Sequence, residues 1–288
     1  MDKILYVYMK NNWVTNFIDL AFFVFIKFYT KKNLKKQKNI SEIIIKNRKI
    51  LNGITDWIDH NAFNNSVFKY GIPDSIKDKI NLPIGNEINY TDLLVAFAKN
   101  YPVSKYLEIG VSVGKNFVPL LENIENAQFF GFDIEKINPI IEKKLIFINE
   151  CHWPSKNDSL KKDNSYLKVY KYNYKNISYL CGDIYDENSW ERLRGNKFNL
   201  IFSDALHTPE AILFEMNLLL KHDLIGDKFI IVWDDIYKPM QYSFWQIFKL
   251  LKSKYNLKRS NIFIIKINGW MGQNENKHTV GIISSYHL

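Results

Sequence analysis

From Thr91 onward, short apolar runs alternate with amphipathic stretches. "SKYLEIGV" (104–111), "AQFFGFDI" (127–134), "ISYLCGDI" (177–184), "FNLIFSDA" (198–205) and "KFIIVWDD" (228–235) are short, rich in β-branched and aromatic residues, and predict buried strands. Between them "GKNFVPLLENI", "DENSWERL", "PEAILFEMNLLLK" and "YSFWQIFKLLKSKY" keep helical spacing, with Asp186 near the start of the second and Pro209 at the first position of the third. "TDLLVAFAKNYP" predicts a helix before the first strand, with Thr91 as its N-cap. The chain ends in two closely linked strands, "NIFIIKI" (261–267) and "HTVGIIS" (278–284), which predict an antiparallel pair at one sheet edge. Strands alternating with helices mean βαβ units: an α/β fold with a mostly parallel sheet and helices on both faces. Residues 1–90 predict a mostly helical N-terminal extension, broken at "NGI" (52–54) and "YGIPDS" (70–75) and joined to the α/β domain, 91–288, by the linker "NLPIGNEINY" (81–90).

Composition changes this picture little. At 288 residues and 47% hydrophobic the chain can bury a full core, and 15% aromatics exclude disorder. Cys151 and Cys181 make no disulfide framework and lack metal-pair spacing, which fits a reducing, cytoplasmic setting. The net charge of +9 is diffuse except in "KFYTKKNLKKQKN" (27–39). No basic face with interleaved aromatics stands out, so no nucleic-acid partner is expected. In "FIDLAFFVFIKFY" (17–29) the uninterrupted apolar part, Leu20 to Ile26 between Asp19 and Lys27, is far shorter than the roughly 20 residues of a spanning helix. It predicts a helix buried against the domain or against another subunit of a homo-oligomer. The sharper alternative is an interfacial helix whose basic flank gives residues 17–38 a peripheral membrane contact.

In an open α/β sheet, ligands bind beyond the carboxyl ends of the strands. The first such end, "LEIGVSVGKNF", places Gly110 and Gly114 where strand becomes helix, and Ser112 stands where a dinucleotide-binding G-x-G-x-x-G loop would carry glycine. The second strand ends in Asp133 and the third in Asp183, acids placed for ribose hydroxyls and the neighbouring pocket. The fourth ends in Asp204, three residues before His207, and the fifth in Asp234 and Asp235. Carboxylates on neighbouring strand tops repel unless a cation neutralises them, and oxygen-only ligands suit Mg²⁺. His207 is the candidate base, its ordinary pKa lying near neutrality. The bland reading makes Asp204, Asp234 or Asp235 helix N-caps and His207 a loop residue.

The series "YLEIGVSVGKNF", "FFGFDIE", "CGDIYDENSW" and "FNLIFSDA" resembles the motifs of S-adenosylmethionine-dependent methyltransferases of the Rossmann-like class, over roughly 91–288. That resemblance implies Glu108, Gly110, Ser112 and Gly114 around the methionine part of the cofactor, Asp133 on the ribose and Asp183 near the adenine; Ser112 departs from the usual glycine. "DALH" followed by "WDD" is similar to metal-dependent sugar O-methyltransferases of the macrocin and mycinamicin type. It implies Asp204, Asp234 and Asp235 as Mg²⁺ ligands or their neighbours, His207 as base, and a sugar, glycoside or small polyol as acceptor. The rivals are an NAD-type domain, a metal-independent N-, O- or S-methyltransferase, and a noncatalytic scaffold that keeps the fold. The long connection 136–176 carries Trp153 and Tyr166, Tyr170, Tyr172 and Tyr174; it predicts either a lid or acceptor wall, or a decorated surface helix.

Overall fold

The computed structural model describes residues 37–61, 85–153, 165–269 and 277–288, with the side chains of 55–61 and Lys238 left aside. The apolar segment 17–29 and the break expected at 70–75 lie outside the described residues. Among the described residues no helix is long and apolar enough to cross a membrane.

Helix α1 (Ile40–Asn61) runs unbroken through Asn52–Ile54, against the break expected there. One glycine costs a helix only about 1 kcal/mol, and packing offsets it: Ile43, Leu51 and Ile54 are buried in the same core as the next helix. That helix, α2 (Tyr90–Asn100), is capped by Asn89 rather than Thr91. The Asn89 side chain accepts from the Asp92 backbone N–H while the Asp92 carboxylate accepts from the Asn89 N–H, each at 2.9 Å. Thr91 instead donates its hydroxyl to Asn116.

The α/β unit follows as β1 (Lys105–Ile109), α3 (Phe117–Asn123), β2 (Gln128–Asp133), α4 (Pro139–Glu142), β3 (Ile146–Trp153), β4 (Ser165–Tyr172), β5 (Lys175–Cys181), α5 (Glu187–Glu191), β6 (Phe198–Ser203), α6 (Pro209–Lys221), β7 (Ile225–Trp233), α7 (Lys238–Tyr255), β8 (Ile262–Asn268) and β9 (Lys277–Ser284). The strands form one nine-stranded sheet in the order β3-β4-β5-β2-β1-β6-β7-β9-β8. β5, β2, β1, β6 and β7 are mutually parallel, and β9 enters antiparallel between β7 and β8, the terminal pair expected from the sequence. Period-two alternation sorts the side chains of the central strands. Tyr106, Phe129, Leu200, Phe202, Ile230 and Val232 pack under α1 to α4, while Leu107, Phe130, Ile201, Ile231 and Trp233 pack under α5 to α7.

The described part of the long connection is not a surface helix. After the single turn α4, it folds into the antiparallel hairpin β3–β4, which lengthens the sheet beyond β5. Tyr166 and Tyr170 lie on one face of β4 and are buried in the core; Trp153 is buried under the Arg192 guanidinium. Tyr174 is exposed.

Candidate functional site

The β1–α3 turn is built around backbone that L side chains avoid. Gly110 has φ +84°, and a Cβ there would collide with the Asp204 backbone carbonyl. The chain at the top of β6 can lie this close only because residue 110 has no side chain. Asp204 N donates to the Ile109 carbonyl at 2.7 Å, Gly110 N to Phe132 O at 2.8 Å, and Asp234 N to Ser203 O at 3.0 Å. The tops of β2, β1, β6 and β7 are thereby stepped against one another.

Ser112 adopts φ +53° and Gly114 φ +79° in the same turn. One carboxylate oxygen of Asp133 accepts from the Val111 and Ser112 N–H groups, both at 2.8 Å. The other accepts from Glu135 N. Asp133 thus organises the glycine loop. Asp183 is buried and accepts from Tyr185 N at 2.8 Å, closing the turn after β5. Glu108 is fully buried; Oε2 accepts from the Tyr106 hydroxyl at 2.6 Å, and Oε1 has no hydrogen-bond partner. Burial pushes the Glu108 carboxyl well above the usual carboxylate range.

Beside this loop stand the two motifs at the tops of β6 and β7. Neither is a cap. α6 is capped by Thr208, and α7 starts at Tyr237 with no side-chain cap bond. Asp204 is committed on both sides: Oδ2 lies 2.9 Å from Lys115 Nζ, and Oδ1 lies 3.2 Å from His207 Nε2. Burial alone would raise its pKa, but the Lys115 and His207 charges outweigh burial and keep Asp204 ionised. Lys115 is itself nearly buried above the Tyr90 ring; desolvation opposes its charge, and Asp204, Tyr90 and Asp234 more than restore it.

His207 bridges the two motifs, with Nδ1 3.3 Å from Asp235 Oδ2. Desolvation works against its charge, yet the hydrogen bonds it donates to Asp204 and Asp235 raise its pKa to about 10. The near-neutral pKa expected from an isolated imidazole therefore does not hold for this arrangement. Asp235 sits at φ +50° with its carboxyl pulled below the usual range by His207 and His278, against the desolvation that would raise it. Asp234 moves the other way, raised by burial and by the Asp204 charge.

Two participants were not singled out in the sequence. His278, on β9, holds Nδ1 2.8 Å from Asp234 Oδ2 and 3.2 Å from Asp235 Oδ1, and its pKa rises to about 9 despite desolvation. Lys115 follows the glycine loop and supplies the cation nearest Asp204. Asp234, Asp235 and His278 bring one ligand atom each within 4.8 Å of one another; among the described residues they are the one His/Cys/Asp/Glu group that could hold a metal ion. The structure thus brings together Asp204, His207, Asp234 and Asp235 as expected. The group whose ligand atoms lie within 4.8 Å of one another includes His278 and does not include Asp204.

Neither a family model nor a curated protein matches the sequence. Solved structures similar to the chain include the O-methyltransferase TomG from Streptomyces achromogenes in complex with SAM, at 13% identity and TM-score 0.43 over 68% of this chain and 80% of that one. The O-methyltransferase from Bacillus cereus in complex with SAH is similar at 13% identity and TM-score 0.44, over 79% of this chain and all of the other (100%). The SAH-bound Podospora anserina methyltransferase PaMTH1 is similar at 15% identity and TM-score 0.43, covering 82% and 88%. Identities this low speak of fold alone, and with TM-scores under 0.5 no functional conclusion rests on them.

Proposed function

We propose that the chain is an S-adenosylmethionine-dependent O-methyltransferase acting on a hydroxyl of a sugar, glycoside or other small polyol, assisted by a divalent cation. The observation that carries this reading is a juxtaposition. A left-handed glycine turn anchored on Asp133 lies directly against the top of β6, where Asp204 orients His207.

The residues fit the cofactor in kind. Gly110 leaves backbone open to close approach, and the orphaned Oε1 of Glu108 offers a buried acceptor for an ammonium group. The resemblance assigns the ribose to Asp133 and the adenine to the neighbourhood of Asp183, which stand at or just beyond the carboxyl ends of the adjacent parallel strands β2 and β5. When bound, S-adenosylmethionine supplies a methyl group already on a good leaving group, and a divalent cation supplies charge that acidifies an acceptor hydroxyl. The chain's own task is positioning and proton removal. Asp204 on Nε2 fixes the His207 tautomer that leaves Nδ1 as the accepting nitrogen. With the Asp235 carboxylate drawn away from Nδ1, His207 loses one of the two partners that keep it protonated and can take the hydroxyl proton. Lys115 keeps Asp204 ionised throughout, so the imidazole stays aligned.

A cation-independent form of the same reading is favoured by one observation: Lys115 already neutralises Asp204. Calorimetric titration of S-adenosylmethionine, with Mg²⁺ and again with EDTA and with NAD as control, tests the reading. Saturable binding without an NAD signal is expected, and NAD binding in its place would sink it. His207→Ala should lower turnover by about 10²–10⁴ with cofactor affinity nearly unchanged. Full turnover in that variant would remove His207 as base, and EDTA-insensitive turnover would select the cation-independent form.

A further inference from the structure

We infer that the β3 edge of the sheet is a homodimer interface: two copies of the chain pair β3 with β3, antiparallel, across a two-fold axis at Phe147. The inference stands apart from the methyltransferase reading and uses none of its site residues.

The two edges of the sheet are finished differently. At one end β8 is buried on both faces; its one exposed side chain is Lys266, and Asn268 bridges to Asn89. A lysine on the strand and chain laid beside it are ordinary protections of an edge. At the other end β3, among the described residues, is paired on one side only, with β4, and every residue of it except Trp153 is exposed. Ile146, Phe147 and Ile148 are 65%, 53% and 49% exposed, three large apolar side chains in a row. No lysine or proline stands between Ile146 and Trp153. The strand's irregularity between Phe147 and Asn149 leaves Ile148 out of the β4 ladder without burying it. An open strand edge lined with apolar side chains is a template for another strand.

The residues of the edge point to a second copy as the occupant. Lys144-Leu145-Ile146-Phe147-Ile148-Asn149-Glu150 is self-complementary about its centre. A two-fold axis at Phe147 sets Ile146 opposite the partner's Ile148, Phe147 opposite the partner's Phe147 and Lys144 opposite the partner's Glu150. The pairing therefore has an apolar centre and an ion pair of opposite charges at each end. Lys144 and Glu150 are held in surface pairs, Lys144 to Glu122 at 3.4 Å and Glu150 to His152 at 3.1 Å and Lys168 at 3.9 Å, which exchange at little cost. Moving the axis to Asn149 loses the match, because Ile148 then meets the partner's Glu150 and Ile146 the partner's His152. Since β8 is covered, the pairing uses the open edge of each copy and closes at two. Through β4, Phe147 is level with Ile177 near the start of β5, so the carboxyl ends of the strands stay clear of the contact.

Sedimentation velocity on the full chain, from about 1 to about 100 μM, reads the association, and a species of twice 34.2 kDa is expected. Phe147→Lys puts like charges on the axis and should weaken the dimer at least about 30-fold. Lys144→Glu and Glu150→Lys should each weaken it about three- to tenfold, and the double reversal should return it to within about threefold of the unaltered chain. These reversals sit at surface positions and carry the test should Phe147→Lys fold poorly by circular dichroism. Directly opposed residues of antiparallel strands have Cα atoms about 4.5–5.5 Å apart, within disulfide range, so oxidised Phe147→Cys in a Cys151→Ser background should become a covalent dimer. Leu250→Cys in that background, exposed on α7, should not. A chain that stays monomeric throughout overturns the inference. So does a dimer that Phe147→Lys and the single reversals leave intact, because its contact lies on another face. Pelleting of a monomeric chain with phosphatidylserine–phosphatidylcholine vesicles, lost in Phe147→Lys, would assign the apolar row to a lipid surface and also overturn it.

Discussion

Tyr90 and Asp92 stand two residues apart at the start of α2, yet they face two different assemblies of buried charge. Asp92 belongs to a closed one. Its carboxylate takes Arg48 at 3.0 and 2.7 Å, Asn47 at 3.0 Å and the Asn89 N–H at 2.9 Å, and Arg48 also donates to the Gly85 and Glu87 carbonyls. Tyr90 faces the other, where Asp204, Asp234 and Asp235 crowd against Lys115, His207 and His278. In the first, each charge meets its complement with bidentate geometry and the pairing fastens α1 to the domain. In the second, like charges adjoin, two imidazoles are driven to abnormal pKa values, and Glu108 keeps an orphaned oxygen. A satisfied network fits a structural role; a crowded, partly unsatisfied one at strand tops fits a ligand.

The comparison breaks most visibly at Arg48. Arg48→Met strands the Asp92 carboxylate in the core and should cost about 3–5 kcal/mol in urea denaturation. Replacing both partners, Arg48→Met with Asp92→Leu, should recover part of that loss, because an apolar pair leaves no buried charge; the Asn89 cap stays broken. A loss below about 1 kcal/mol for Arg48→Met would show that α1 is held by its apolar face alone.

The strand-top assembly should betray itself through pH. His207 and His278 have folded pKa values of about 10 and about 9, above the roughly 6.5 of an unfolded histidine. Raised values mean that the folded chain binds the protons more tightly. The contribution is therefore complete below about pH 6.5 and is lost as pH rises toward 9 and 10. Since both side chains are a quarter to a third exposed, screening trims the effect to on the order of 2–3 kcal/mol. Metal-free protein should lose that stability on going from pH 6.5 to 10, measured by denaturation at each pH. A curve unaltered in His207→Ala and His278→Ala would sink the assignment. Glu215 titrates in a different window. Burial raises it to about 7 while Ser203 donates to it at 2.6 Å, so its contribution falls between about pH 4.5 and 7. Glu215→Gln should flatten that window and, above pH 7, stabilise the fold by about 2 kcal/mol. An unchanged dependence would mean that the carboxyl finds a further partner on ionising.

How much of this could be read from the chain depends on how local each signal is. The parallel strands and the acids ending them are legible because a buried strand writes itself as a short apolar run and its last residue is adjacent in sequence. The turn at Gly110 to Gly114 is legible for the same reason. α1 misled because Gly53 looks like a break, whereas burial of Leu51 and Ile54 on either side holds the helix through it. The β3–β4 hairpin was hidden because Tyr166 and Tyr170, four apart, read equally well as a helix face or as a strand face. His278 was out of reach altogether. Its place is set by the register of β9, where Gly281 pairs with Trp233 of β7, a pairing across distant sequence that no local pattern encodes. Lys115 was passed over because the residues before it account for the turn without it.

Asp234→Asn is the mildest change and the sharpest discriminator. Asp234 is 2% exposed, and burial with the Asp204 charge beside it raises its pKa, so its ionised form is disfavoured in the fold. The carboxamide oxygen can still accept from Asp235 N, as Oδ1 does now at 2.8 Å. Removing this charge relieves repulsion from Asp204 and Asp235 while weakening the hold on His278, two effects of opposite sign. The net stability change at pH 7 should lie within about 1 kcal/mol. If Asp234 instead behaves like Asp92, with a loss of several kcal/mol on neutralisation, the strand-top charges are a structural lock, and the contrast between the two assemblies collapses. If stability holds while Mg²⁺ affinity falls, the carboxylate is kept for the ion it binds and not for the fold it sits in.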